Sequence, residues 1–254
     1  MYSREYGKSL MAGWQTLTLG DLKLTFLYCC IMVNATMKKN HLGLVIIIGS
    51  MWGVCECLLG AMLQRCAASV SGSLMTGVAL LFMAVGWRLT GKASAVGGLV
   101  VIASLFKMFD SLILSLPLNH GAVANPIFSF FMEGAAFLVL AAMIKENWRR
   151  RIPGQALLGG LAALVAVNLF PLVKYASAVP ACVMAGTGYP QALYYAPLAV
   201  AVSLITVPLG FLAGERLERL ETRLAGGNTM PRLAAYGIPS LTVLLGLALV
   251  ALAR

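Results

Sequence analysis

Long apolar runs separated by short polar clusters fill the chain from residue 43 to its end. Crossing the hydrocarbon of a bilayer takes about 20 helical residues at ~1.5 Å each. Seven runs approach or meet that length, near 43–63, 71–87, 94–115, 127–145, 155–173, 191–213 and 235–253, the second being the shortest. Pro171, Pro197, Pro208 and Pro239 lie within them, where neighbouring helices can satisfy the backbone groups that a proline frees. The pattern predicts an all-α, polytopic transmembrane bundle of about seven spans, built as one domain over residues 37–254.

Residues 1–36 read differently. Polar and apolar positions are mixed there, and the one apolar stretch, Leu24 to Val33, is too short to span. Met37-Lys38-Lys39-Asn40 before an apolar run resembles the beginning of a membrane protein. The expectation is therefore an extension that is not part of the native chain, or alternatively an interfacial amphipathic helix. The charged region, short apolar region and small-residue cleavage site of a secretory signal do not line up.

Composition removes the soluble alternative. Apolar residues make up 60% of the 254 and charged ones 11%, with a mean hydropathy of +0.86, against roughly 45–50% and about 25% in a soluble domain. A net charge of +10 raises the question of nucleic acid. The basic residues sit in short clusters between apolar runs, so no nucleic-acid face is expected.

Those clusters set the orientation. With residue 37 inside, Lys38, Lys39, Arg88, Lys92, Lys145, Arg149, Arg150, Arg151, Arg216, Arg219, Arg223 and Arg232 fall in the cytoplasm, and Arg65, Lys174 and Arg254 outside. That asymmetry puts the N-terminus in the cytoplasm and the C-terminus outside. The stretch from Glu215 to Arg223 alternates charges at helical spacing, which extends the sixth span into the cytoplasm.

Of the nine acids, only Glu56, Asp110 and Glu133 fall within spans, with Lys107 as the one base. Each costs roughly 2.5–3.5 kcal/mol near the bilayer centre, so they should face the bundle interior and one another. Counted from the ends of the runs, all four lie in the outer half of the membrane and within one or two helical turns in depth. Lys107 and Asp110, three apart on one helix, can pair directly. Glu56 and Glu133 then need a proton, hydrogen-bond donors, or a cation that arrives. The competing reading makes them neutral acids that glue helices together. Trp52 and Asn168 fall near the same depth and are candidate lining residues. His120 lies in the outer loop Leu116–Pro126, either as a surface residue or as part of a lid. In that loop Asn125-Pro126 fits a helix start, with Asn125 as the cap. Tyr194 and Tyr195 open the sixth span, as interfacial belt aromatics or as the rim of the pocket. Gly49-x-x-x-Gly53 and Gly210-x-x-x-Gly214 mark close helix contacts, within the bundle or with another subunit.

Cys29, Cys30, Cys55, Cys57, Cys66 and Cys182 form no disulfide framework. Cys55 and Cys57, two apart on a helix, point away from each other and do not make a shared metal site. No cofactor is expected, and a metal role is left open.

Two segments carry a resemblance. Gly49-Ser-Met-Trp-Gly53 followed by Glu56, and Asn125-Pro126 leading to Glu133-Gly134, resemble bacterial membrane proteins of the type of energy-coupling factor (ECF) transporter S components, over some 180 residues from Met37. The resemblance implies a bacterial cytoplasmic-membrane protein that captures a vitamin-like solute or a metal cation from outside. It also implies docking, through small-residue faces such as Gly49 and Gly53, on a coupling subunit driven by ATPases. Glu56, Lys107, Asp110 and Glu133 would then be substrate contacts. The seventh span and the lack of an N-terminal histidine motif depart from that family. No Gly-x4-Gly-Lys-Ser/Thr loop is present, so ATP hydrolysis would belong to a partner.

A standalone proton- or cation-coupled carrier using Glu56 and Glu133 is the alternative. An intramembrane enzyme is not expected, because no histidine falls within the spans to serve as base or ligand. A retinal-type photoreceptor is disfavoured by the absence of a lysine in the last span.

Overall fold

A computed structural model of the protein describes residues 41–63, 68–172, 192–224, 243–246 and 248. Six helices there are long and apolar enough to cross a membrane. They are α1 (His41–Leu63), α2 (Ala68–Thr90), α3 (Ala93–Ile113), α4 (Gly121–Met143), α6 (Ile152–Leu169) and α7 (Ala192–Leu224). A four-residue helix, α5 (Glu146–Arg149), lies between α4 and α6, and a 3-10 turn, Phe170–Leu172, follows α6. The protein is thus an all-helical membrane bundle. Of the expected seventh span at 235–253 only 243–246 and 248, all helical, are described. The expected extension at 1–36 and the outer loop 174–190 lie outside the described residues.

Helix α2 is the centre of the bundle. It packs against α1, α3, α4, α6 and α7, while α1–α3, α3–α4, α4–α6 and α6–α7 contacts link the others around it. Lipid tails are as apolar as leucine, so such helices associate through close packing and not through hydrophobic exclusion. Small side chains therefore decide who sits next to whom. A Cβ on Gly210 would stand 2.5 Å from the Leu81 carbonyl oxygen and 2.8 Å from the Ala84 Cβ, so α7 can approach α2 only with glycine there. On α1, a Cβ at Gly53 would stand 2.5 Å from the Phe106 ring of α3. Gly49 likewise faces Ile102, and Gly214 faces Arg88 and Val85. All four expected glycines pack inside the bundle, so the docking role implied for Gly49 and Gly53 is not available to them: α3 already covers both.

The outer faces carry what water would not tolerate. Val101, Leu105, Leu112, Val139, Ile205 and Leu209 are all exposed, Leu112 by 72%, and hydrocarbon is the solvent that suits them. The helix ends are closed by specific groups. α2 ends at Gly91, whose φ of +64° lets its N–H reach back to the Trp87 carbonyl at 2.8 Å. α3 ends in a Schellman turn, with Ser115 at φ +53°, Leu116 N–H on the Ser111 carbonyl at 2.9 Å and Ser115 N–H on that of Leu112 at 3.2 Å.

Two boundaries differ from the sequence pattern. α4 begins at Gly121, six residues before the expected 127, and its cap is His120, whose Nδ1 accepts from the Ala122 N–H at 3.2 Å. Asn125 and Pro126 thus lie inside the helix. The buried Val123 anchors that extra turn to the core. At the other end, α7 runs to Leu224 and is ~50 Å long, well beyond a ~30 Å hydrocarbon core. Its projecting end is held by an Arg88–Glu218 ion pair at 2.6 Å and by the Glu215–Arg219 pair along the helix, as the charge alternation predicts.

A contrast between glycines tests this packing. Gly210→Ala should lower the thermal unfolding midpoint in detergent, at an overpacking cost of about 1–3 kcal/mol. Gly97→Ala, where an added Cβ meets nothing within 4 Å, should leave the midpoint unchanged or slightly raised. Equal effects at the two positions would show that the α2–α7 approach does not limit stability.

Candidate functional site

The polar residues that cost most to bury converge on one layer of the bundle. Glu56 on α1, Lys107 on α3 and Glu133 on α4 are 3%, 7% and 2% exposed. Their charges act on one another through Glu56, which interacts electrostatically with both Lys107 and Glu133. The periodicity of each helix explains the convergence. Each residue lies on the stripe that its helix turns inward, with Trp52, Ala103 and Phe106, and Phe137 as buried neighbours along the same faces.

Glu56 is held from its own helix. The Trp52 indole N–H, one turn earlier, donates to its Oε1 at 3.1 Å. Trp52 is itself fully buried and packs edge-on against Phe130 of α4, with ring centroids 5.1 Å apart. This aromatic pair clamps α1 to α4 next to both carboxyl groups. Glu133 is held likewise: the Ser129 hydroxyl donates to its Oε1 at 3.0 Å. Thr76 of α2, 4% exposed, lies close enough for its hydroxyl to serve the same carboxyl as a second hydrogen-bond donor. Yet the second oxygen, Oε2, is buried and makes no hydrogen bond among the described residues. In a medium with no water an oxygen left in that state costs about 1–3 kcal/mol or more, unless something else meets it. A proton placed there turns the group into a donor, and a cation placed there satisfies it directly.

Depth is slightly different from the sequence expectation. Because α4 starts at Gly121, Glu133 falls about one residue from the helix midpoint and so near the membrane centre, not in the outer half. Glu56 and Lys107 lie about four residues, or ~6 Å, to the outer side of their own midpoints. The three still share a layer about one and a half helical turns thick.

The other expected site residues divide. Trp52 belongs to the layer. The Asp110 side chain lies outside the described residues, and with it the expected Lys107–Asp110 pairing. Asn168 does not join: it is exposed on α6, and its amide donates to the Leu164 carbonyl at 2.7 Å. Depth alone placed it near the charges, but the rotation of α6 turns it away from them. Tyr194 is 45% exposed at the outer end of α7, away from the layer, and His120 is exposed and serves as the α4 cap. Ser129, Phe130 and Thr76 were not legible as site residues. Ser129 had a signal, since it sits four before Glu133 and therefore on the same helix face. Thr76 had none, because nothing in the sequence says which face of α2 meets α4.

Among the described residues no three His, Cys, Asp or Glu side chains come together as a metal-binding set. Cys57 is buried and its thiol lies 3.7 Å from the Phe106 carbonyl, a structural contact. The layer as it stands can hold a proton or a weakly coordinated cation between two carboxyl groups and one ammonium.

The indole contact offers a direct check. Trp52→Phe keeps the ring packing but removes the donor to Glu56, and should cost about 1–3 kcal/mol in thermal unfolding. In a Glu56→Met background the same change should cost much less, because the acceptor is gone. Equal costs in both backgrounds would mean that Trp52 acts by packing alone.

No protein-family model matches the chain, and no curated protein and no solved structure matches it either.

Proposed function

We propose that this chain is a membrane transport protein that takes up a proton or a small cation at the Glu56–Glu133 layer. The observation that carries this reading is the Glu133 Oε2 atom, buried near the middle of its span with no hydrogen-bond partner among the described residues. Glu56 and Glu133 bring two potential negative charges against the one positive charge of Lys107. A bound cation or proton balances the layer, and its departure unbalances it, which is the condition for coupling occupancy to movement of the helices.

A small ligand fits better than a vitamin-sized one. Trp52 and Phe130, 0% and 2% exposed, fill the space beside the carboxyl groups, and a large solute would have to displace both. In the ATPase-driven arrangement implied by the S-component resemblance, a coupling subunit would need a face other than Gly49 and Gly53, since α3 covers those. A standalone cation-coupled carrier needs no such face. In either arrangement the residues that meet the ligand are Glu133 and Glu56, with Lys107 as the internal counter-charge. No catalytic step is proposed.

Glu133→Gln tests the reading, because it removes the titratable oxygen while preserving size and the bond from Ser129. The purified protein in mild detergent would be titrated with sodium, potassium, magnesium and organic ammonium ions at several pH values, with the unfolding midpoint as the readout. The wild type should be stabilised by one of these ions or by protons, by about 2.7 kcal/mol at a hundredfold excess over the dissociation constant. Glu133→Gln should fold and lose that response. A variant that unfolds, or a wild type indifferent to every cation and to pH, would make Glu133 a structural acid that only joins helices.

A further inference from the structure

At the end of the bundle that the lysine and arginine distribution places in the cytoplasm, α2, α5, α6 and α7 surround a cavity of about 950 Å³. It shares no residue with the carboxylate layer. Its lining is divided. On one side lie Leu204, Ile205, Leu209 and Leu212 of α7, with Ile205 63% exposed. On the other stand the guanidinium groups of Arg88, Arg149 and Arg150. From Leu204 to Leu212 the helix rises ~12 Å, about twice the thickness of one interfacial layer of a bilayer. The cavity therefore reaches from headgroup level into hydrocarbon.

The three arginines are not equivalent. Arg88 pairs with Glu218 at 2.6 Å, and Arg150 with Glu146. Arg150 donates a hydrogen bond to Glu146 and holds its carboxyl below the ordinary value of 4.5. That acid is thus ionised but already countered at neutral pH, and the contact is lost only as pH falls below that range. Glu215, the other acid of the lining, is engaged by Arg219. Arg149 has no carboxylate in ion-pair range among the described residues. Its guanidinium carbon lies 5.1 Å from the centre of the Trp87 ring, and one nitrogen caps the Ala141 carbonyl at the end of α4. Fixed in this way by an aromatic face and a carbonyl, it still has donors to offer. Trp87 itself is half-buried at the level where tryptophan marks the membrane interface.

We propose that this cavity binds an acidic phospholipid of the cytoplasmic leaflet, with its phosphate on Arg149 and Arg150 and an acyl chain along Leu204–Leu212 of α7. With Arg88 and Arg150 countered by Glu218 and Glu146, Arg149 leaves the polar part of the lining one positive charge in excess, which suits a singly charged phosphate, and the apolar part calls for a chain attached to it. A basic pocket between helices at the cytoplasmic surface meets both demands of such a lipid. A free phosphate ion would leave the α7 side of the cavity unfilled. Because α7 packs on the central α2, the lipid would also brace the joint at which α7 leaves the membrane.

Native mass spectrometry of the full chain, released from micelles containing equal amounts of phosphatidylglycerol and phosphatidylcholine, tests this. The wild type should retain phosphatidylglycerol preferentially, and Arg149→Gln should weaken that retention about fivefold. Arg150→Gln should act in the same direction and guards against misfolding of the first variant, whose side chain also caps α4. Glu133→Gln, far from the cavity, should retain the lipid as the wild type does. Equal retention of the two lipids by the wild type would overturn the proposal. So would undiminished retention by both arginine variants. Displacement of the lipid by millimolar inorganic phosphate would assign the arginines to a free anion and overturn the lipid reading as well.

Discussion

Hydrocarbon offers no hydrogen-bond partner, so every polar group that this chain carries into the membrane must find one inside the bundle. Most do so within their own helix. Ser50, Ser104 and Ser111 donate to carbonyls three or four residues back, which removes the hydroxyl from the reckoning at little cost. Glu56 does it with an indole from the same helix and Glu133 with a serine from the same helix. What cannot be settled locally stands out for that reason. Among the described residues the second oxygen of Glu133 makes no hydrogen bond, and neither do the buried hydroxyls of Ser203 and Thr206, while Glu56 acts electrostatically on Lys107 and Glu133 across helices. Of these, Glu133 alone is ionisable, and that makes it the candidate on which the proposed function rests.

The packing that encloses this layer depends on the absence of side chains as much as on their presence. α2 can touch five other spans because its own surface and theirs are notched. Gly77 of α2 faces Val202, Gly210 of α7 faces the α2 backbone, and Gly134 of α4 faces Val100 of α3. Gly159 of α6 approaches the Ser203 carbonyl of α7 so closely that a Cβ would stand 2.2 Å from it. Together with Gly49 and Gly53, which let α1 close on Ile102 and Phe106 of α3, the Gly134 approach of α4 to α3 brings α1, α3 and α4 near enough for Glu56 to feel both Lys107 and Glu133. A bundle spaced by larger side chains would separate the three charges and leave each to be neutralised alone. The glycines are therefore linked to function through geometry, although none meets a ligand.

The spans, and the burial of Glu56, Lys107 and Glu133 within them, were legible in the sequence because each follows from a one-dimensional rule. Hydropathy gives length, and the price of a buried charge singles out Glu56, Lys107 and Glu133. What failed was rotational. Asn168 shares a depth with the charges but sits on the lipid side of α6, and depth says nothing about facing. Thr76 belongs beside Glu133 only because α2 occupies the middle of the bundle, and no pattern within α2 announces that position. The start of α4 was misplaced because Asn125-Pro126 carries the stronger local signal. The buried Val123 and the His120 cap outweigh it once tertiary contacts are present. That shift moved Glu133 about one turn deeper, toward the membrane centre, where its unpartnered oxygen costs most.

On the proposed function the Glu133 carboxyl changes state, between holding a proton or a cation and holding neither. Difference infrared spectroscopy of the reconstituted protein reads that directly through the carbonyl stretch of a protonated buried carboxylic acid. The wild type should show such a band, lose it or convert it to the carboxylate signature on raising pH or adding the bound cation, and Glu133→Gln should lack it. A Glu133 band that stays fixed under every cation and pH at which the protein is folded would instead make Glu133 a permanently neutral link between helices.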